Sequence, residues 1–267
     1  MRRTVMKKQK FKISLFLVCF CIFFSNFSLA SKAFTSDDTE LNWYFVARVK
    51  GQTPEAPQDS SSFLKELGGY YVGDTSNKVL YLTFDEGYEN GNTPKILDVL
   101  KETNTPAAFF VVEPYIDSEP EIVKRMVDEG HLVCNHSHHH PSMAQVHDDE
   151  KFKAEFGDVE TAFKNLTGKE MPKFFRPPMG KYSKNCLKKT QNLGYKTIFW
   201  SFAYRDWLVN DQPDEQKAIE KITKGAHPGA IMLLHAVSDT NTKVLKTVIE
   251  TLKAEGYEFK TLNDLPN

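Results

Sequence analysis

From residue 79 to the end, the chain repeats one pattern about seven times: a short apolar run, then a stretch with helical spacing. The runs at 79–84, 107–112, 131–134, 173–175, 196–200, 230–234 and 258–260 are mostly continuous rather than alternating, as parallel strands buried on both faces are. Between them, 94–102, 119–129, 148–166, 185–193, 214–224 and 241–255 set apolar side chains three and four residues apart. Gly130, Gly168, Gly194, Gly225 and Gly256 close five of these helical stretches, as C-terminal caps do. Strands that alternate with helices predict an α/β fold with a parallel sheet, either doubly wound or closed as a β/α barrel.

The pattern alone leaves both architectures open, and the polar residues tilt the choice. Asp85 and Glu86 follow the first run, His136 the third, Arg176 the fourth and His235 the sixth, with Asp206 just past the fifth. A barrel gathers the C-terminal ends of its strands around one mouth, where such sites are built.

A chain of 267 residues, 40% hydrophobic and 26% charged, suits one sizeable domain. Residues 78–267 form that domain. Residues 31–77 read as an N-terminal extension that packs on the barrel through the aromatic patch Asn42-Trp43-Tyr44-Phe45, with a Pro, Gln and Ser-rich loop at 52–62. Residues 1–30 differ in kind. Arg2, Arg3, Lys7, Lys8, Lys10 and Lys12 form a basic head, an apolar run covers 13–24, and Ser28-Leu29-Ala30 supplies small residues. This is the layout of a secretory signal peptide cleaved after Ala30; the rival reading is an uncleaved membrane anchor. The predicted destination lies across the cytoplasmic membrane.

Losing those six positive charges takes the net charge from −1 to −7. With no dense basic run in the rest, nucleic acid and anionic lipid are excluded as partners. No feature calls for an obligate protein partner. Cys134 and Cys186 are the two cysteines beyond the leader, too few for a disulfide framework, and read as buried, inert thiols.

Three segments carry chemistry on their own, and two more do so as a pair. His136-Ser137-His138-His139-His140 is either a solvated loop or a metal site, and a spacing of four lets one helical turn aim His136 and His140 at one ion. In Thr83-Phe84-Asp85-Glu86-Gly87, one carboxylate can complete a two-histidine site while the other serves as general base. In Arg176-Pro177-Pro178-Met179-Gly180, two prolines remove two donors, so the next N–H, that of Met179, is free to face an oxyanion while Arg176 pairs with a carboxylate. Asp206-Trp207 and Leu233-Leu234-His235 are weak signals singly. As a pair they place an acid behind an imidazole, which prepares a general acid.

These five segments, in this order, resemble the motifs of the polysaccharide deacetylase family, the NodB-like carbohydrate esterases of family 4. The resemblance spans about 78–265. It is strongest to the δ-lactam-biosynthetic de-N-acetylases of spore formers, through Asn42-Trp43, Asp85-Glu86-Gly87-Tyr88-Glu89-Asn90-Gly91, Asn135-His136-Ser137, Phe199-Trp200-Ser201 and Ala226-His227-Pro228-Gly229. It implies a distorted (β/α)7–8 barrel and a metal-dependent hydrolase that removes acetyl groups from N-acetylmuramic acid in peptidoglycan glycan strands. It further implies His136 and His140 as ligands of a divalent cation, with zinc first and cobalt or manganese as alternatives. Asp85 is the implied base, held by Arg176, and His235 the acid, oriented by Asp206. The Met179 N–H is the implied oxyanion donor, and Tyr88, Pro177 and Trp207 the sugar contacts.

Two positions depart from the family pattern. The family's second acid is usually an aspartate that binds the metal; here it is Glu86, a ligand, a water-mediated ligand, or no ligand at all. Ala203 stands where many relatives carry an acid. Two other readings remain: a deacetylase of N-acetylglucosamine in peptidoglycan or chitin-type oligomers, and an inactive glycan binder.

Overall fold

The structure is a computed structural model that describes residues 36–49 and 51–266; the leader-like segment at 1–30 lies outside the described residues. In chain order the elements are β1 (Leu41–Asn42), β2 (Gly69–Tyr70), β3 (Val79–Glu86), α1 (Thr93–Glu102), β4 (Ala108–Val111), α2 (Glu113–Ser118), α3 (Pro120–Asp128) and β5 (Leu132–Asn135). Then come α4 (Asp149–Thr167), β6 (Phe174–Phe175), β7 (Lys181–Tyr182), α5 (Lys184–Asn192), β8 (Lys196–Ile198), α6 (Glu215–Gly225), β9 (Ala230–His235), α7 (Asp239–Ala254) and β10 (Glu258–Phe259).

Eight strands form one parallel sheet in the order β10-β3-β4-β5-β6-β8-β2, with β9 also paired to β3. The sheet curls back on itself. Beyond β8, the Ser201 N–H donates to Ile231 O (3.0 Å), and the Leu233 N–H to Phe202 O (2.9 Å). The chain end of β8 thus leans on β9, and the result is a distorted, partly open barrel. This settles the choice left by the pattern in favour of the barrel.

The central strand β3 shows what the curl does. Its even residues Leu80, Leu82 and Phe84 pack outward with helix residues such as Ile96, Leu97 and Val248. Its odd residues Val79 and Tyr81 pack inward with Ala108, Phe110, Cys134, Phe174 and Ile231. Period-two alternation makes this division automatic. Each large side chain so buried contributes about 1.5–3 kcal/mol; Phe84, for instance, is fully buried and stacks on Phe109 at 5.2 Å.

Three short strands and one helix had no signal in the sequence. β2 carries only two paired residues, aligned with Thr197 and Ile198 of β8. β1 and β7 form a two-residue antiparallel pair, and α2 has six residues with Pro114 in its first turn. Trp43, just after β1, stacks on Phe199 at 4.3 Å, donates Nε1–H to Trp200 O (2.9 Å), and donates its backbone N–H to Gly180 O (2.8 Å). Among the described residues, no helix is long and apolar enough to cross a membrane. Cys134 and Cys186 are both free and buried; burial pushes the Cys186 thiol up to about 12.

Candidate active site

The inward row of each strand leads directly to a polar residue at its end. On β3 the row Val79, Tyr81, Thr83 continues to Asp85; on β5 Cys134 precedes His136; after β6 Phe174 precedes Arg176; on β9 Ile231 and Leu233 precede His235. Parallel register puts Asp85 directly beside His235. These side chains meet in a cleft of ≈ 1100 Å³ whose wall includes Asp85, His136, His140, His235, Met179 and Trp207.

Arg176 is fully buried. Its Nη1–H donates to Asp85 Oδ1 (2.7 Å), Nη2–H to Thr83 Oγ1 (2.9 Å) and Nε–H to Ile198 O (3.1 Å). The guanidinium lies 4.2 Å from the centre of the Phe110 ring. A buried cation held on three sides and over an aromatic face is fixed in place. Burial alone would raise the pKa of Asp85; the charges of Arg176, His136 and His235 outweigh it and hold the carboxyl below its ordinary value. Asp85 is therefore an anion at neutral pH, and its side chain keeps 12% exposure to the cleft.

His136 accepts no such charge. Burial pulls its pKa down to about 4, which Asp85 only partly offsets. Its Nδ1–H donates to Arg176 O at 2.8 Å, which fixes the tautomer and turns Nε2 toward Asp85 Oδ2, 3.7 Å away. The His140 ring sits 4.9 Å from that of His136 at 68°, and burial lowers its pKa too. The two rings converge, but no helical turn does it. Ser137 and His140 both have positive φ (70° and 57°), so a tight loop folds the second histidine back. Ser137 N–H donates to Asn135 Oδ1 (2.8 Å), and His140 N–H to Ser137 Oγ (3.0 Å); such side-chain bonds stabilise left-handed turns.

Behind His235, the fully buried Asp206 holds both the imidazole and the backbone of that residue. Oδ1 accepts Nδ1–H at 2.7 Å, and Oδ2 accepts the backbone N–H at 2.9 Å. Burial disfavours the imidazolium, but the Asp206 hydrogen bond and charge win and raise the His235 pKa above its ordinary value. Asn241 donates Nδ2–H to Asp206 Oδ2 (2.6 Å) and to His235 O (3.1 Å). Asn241 was invisible in the sequence: a lone amide in the first turn of α7 carries no pattern.

Met179 follows two prolines at φ 59°, ψ 8°, a left-handed turn that exposes it in the cleft. Tyr88 and Trp207 also line the cleft and are exposed; the Trp207 ring is 5.6 Å from that of His235. Pro177 is buried and is not part of the cleft wall; it precedes the turn that carries Met179.

Glu86 is not brought to the histidines. It belongs to the outward row of β3, fully buried, and neither carboxylate oxygen has a hydrogen-bond partner. Thr93 lies near enough to temper its pKa, but no bond of acceptable geometry forms. The Tyr115 hydroxyl occupies Thr93 Oγ1 instead (3.3 Å). Burial, reinforced by Glu89 and Asp85, raises the Glu86 pKa well above the usual carboxylate range.

The family profile described as polysaccharide deacetylase matches residues 72–198. An uncharacterised protein of Geobacillus stearothermophilus is 45% identical over 94% of both chains. The peptidoglycan-N-acetylmuramic acid deacetylase PdaA of Bacillus subtilis is 42% identical over 88% of this chain and 89% of its own. The PdaA structure, described as a family 4 carbohydrate esterase, superposes with a TM-score of 0.82, covering 85% of this chain and 97% of that one. The peptidoglycan-N-acetylglucosamine deacetylase PgdA of Listeria monocytogenes is 35% identical over 71% of this chain but 39% of its own.

The chain belongs to the polysaccharide deacetylase family. It is accordingly a hydrolase, of a metal-dependent family that acts on amide bonds. Among the described residues, no three His, Cys, Asp or Glu side chains stand close enough to hold an ion. The two convergent imidazoles nonetheless suit one. Both are kept neutral by burial, and His136 donates its other N–H to a backbone carbonyl, the support that metal-binding histidines usually have. Glu86, buried on the helix side of β3, is not part of the cleft wall where the two imidazoles converge.

Proposed function

We propose that this deacetylase removes the N-acetyl group of N-acetylmuramic acid in peptidoglycan, on glycan stretches stripped of stem peptide. The freed amine then attacks the lactyl carboxyl of the same sugar and expels water, giving the muramic δ-lactam of spore cortex. The observation that carries this reading is the pair of ion-paired acid–base couples, Asp85–Arg176 and Asp206–His235, set side by side at the ends of neighbouring strands β3 and β9 in one cleft. The chain-long likeness to an N-acetylmuramic acid deacetylase supports the choice of sugar. A wall substrate and the leader-like residues 1–30 support export across the cytoplasmic membrane, by cleavage after Ala30 or on a retained anchor.

In this mechanism the acetamide enters between Asp85 and His235. A divalent cation held by His136 and His140, zinc in our reading with cobalt and manganese as alternatives, would polarise the carbonyl and acidify a water. Asp85, ionised and fixed by Arg176, takes a proton from the attacking water. The Met179 N–H faces the oxygen on which negative charge develops. His235, protonated because Asp206 stands behind it, gives its proton to the departing amine, and acetate is released. Tyr88 and Trp207 offer rings on which the sugar stacks.

The test is incubation with peptide-free and peptide-bearing glycan strands, with added zinc or a chelator, and mass spectrometry of the products. Acetyl loss at muramic acid, abolished by chelation, is expected. Loss confined to glucosamine, or to chitin oligomers, would replace the sugar in this reading. No loss on any strand would leave a glycan binder.

A further inference from the structure

An N-acetylmuramic acid carries a lactyl carboxylate that N-acetylglucosamine lacks, so an enzyme that selects it needs a cation near the reacting amide. Arg176, Lys181 and Arg205 belong to the segments that border the cleft. Arg176 is consumed: it is fully buried, and its hydrogen bonds go to Asp85, Thr83 and Ile198. Lys181 is consumed as well. Its Nζ lies 2.9 Å from Glu40 Oε1, a carboxylate also bound by Ser142 (2.6 Å) and Gln145 (3.1 Å), and Lys181 does not line the cleft.

Arg205 is different. Among the described residues it is the one Arg or Lys in the cleft wall, with its side chain 61% exposed and its partner Asp211 equally open to solvent. Such a surface pair is worth little and is readily exchanged. The local chain fixes where it points. Residues 204–207 alternate buried, exposed, buried, exposed. Tyr204 and Asp206 face the interior, where Asp206 orients His235, while Arg205 and Trp207 share the outer face and both line the cleft. One short segment therefore orients the general acid from one face. From the other it presents an aromatic ring and an exchangeable guanidinium fork. A planar fork matches a carboxylate in two parallel hydrogen bonds.

We infer that Arg205 is the specificity-determining residue that binds the carboxylate of an acidic ether substituent on the sugar, the lactyl group of muramic acid. This rests on the muramic acid reading above. A neutral glucosamine substrate gives the guanidinium nothing to bind.

The test crosses two enzymes with two substrates: wild type and Arg205→Met, on peptide-free strands whose lactyl groups are free acids or methyl esters. Wild type is expected to favour the acid in kcat/KM by about ten- to a hundredfold, the loss typical of one hydrogen-bonded charge. Arg205→Met is expected to treat acid and ester alike, and Arg205→Lys to restore part of the preference. If Arg205→Met keeps the full preference, the assignment is overturned while the muramic acid reading stands. If wild type ignores both muramoyl substrates but deacetylates chitin oligomers, the sugar reading falls and takes this inference with it.

Discussion

Glu86 occupies the position at which the family usually places a metal-binding aspartate, yet in this chain it is a buried carboxyl with no partner for either oxygen. Glu86→Met keeps the length of the side chain and removes the polar atoms. An unsatisfied buried polar group costs about 1–3 kcal/mol, so the substitution is expected to stabilise by that amount. For a domain of this size that raises Tm by about 2–10 °C. The pH dependence sharpens the expectation. The Glu86 pKa rises on folding from 4.5, so its contribution is most favourable below that value and is lost as pH rises toward the folded pKa. The loss runs at up to about 1.4 kcal/mol per pH unit. Methionine does not titrate, so the advantage of the variant grows from about pH 5 to about pH 7. Thermal melts across that range, with a zinc competition titration at neutral pH, provide the assay. Unchanged zinc affinity and a higher Tm are expected. A lower Tm together with zinc binding weakened more than about tenfold would refute the reasoning and make Glu86 a ligand after all.

Asp206→Asn removes the charge that raises the His235 pKa. His235 then loses its proton at lower pH, so the alkaline limb of the kcat profile shifts downward and kcat falls by about 10²–10⁴; an unmoved limb would exclude His235 as the acid. Gly180 has φ +66°, and an added Cβ would stand 2.9 Å from Trp200 Cη2 and 3.3 Å from Trp43 Cβ. Gly180→Ala is expected to destabilise by about 1–3 kcal/mol and to disturb the Met179 turn, read out as a lower Tm with a lower kcat. Asn241→Ala leaves Asp206 with one donor fewer and is expected to lower kcat several-fold without changing KM, measured by steady-state kinetics.

Much of the fold was legible because strands buried on both faces leave continuous apolar runs. β3 and β9 are marked that way, and α4 is marked by its apolar spacing and by Gly168, which ends it at φ 70°. The convergence of Asp85, His136, Arg176 and His235 was legible from their places at the C-terminal ends of four different strands. What escaped has physical causes. β2 is a two-residue parallel strand whose pairing depends on distant β8, and no periodicity marks so short a segment. The turn at 136–140 reads as a helical spacing, but two left-handed residues, Ser137 and His140, bring the rings together instead. The orientation of Glu86 was within reach. Asp85 and Glu86 are successive residues of one strand, so a strand that aims Asp85 into the barrel aims Glu86 at the helices. Adjacent in sequence, the two acids read as partners in one site; β3 extends through Glu86 and separates them.

The account turns on Asp85 as the base held by Arg176. Asp85→Asn keeps a side chain of the same shape beside Arg176, and Arg176 retains its bonds to Thr83 and Ile198. Acetate release from peptide-free glycan strands by the purified variant is the most direct measurement. The expected result is a loss of at least about a thousandfold in kcat, with a circular dichroism spectrum unchanged from wild type. Release within about tenfold of wild type by a folded Asp85→Asn protein would contradict the mechanism.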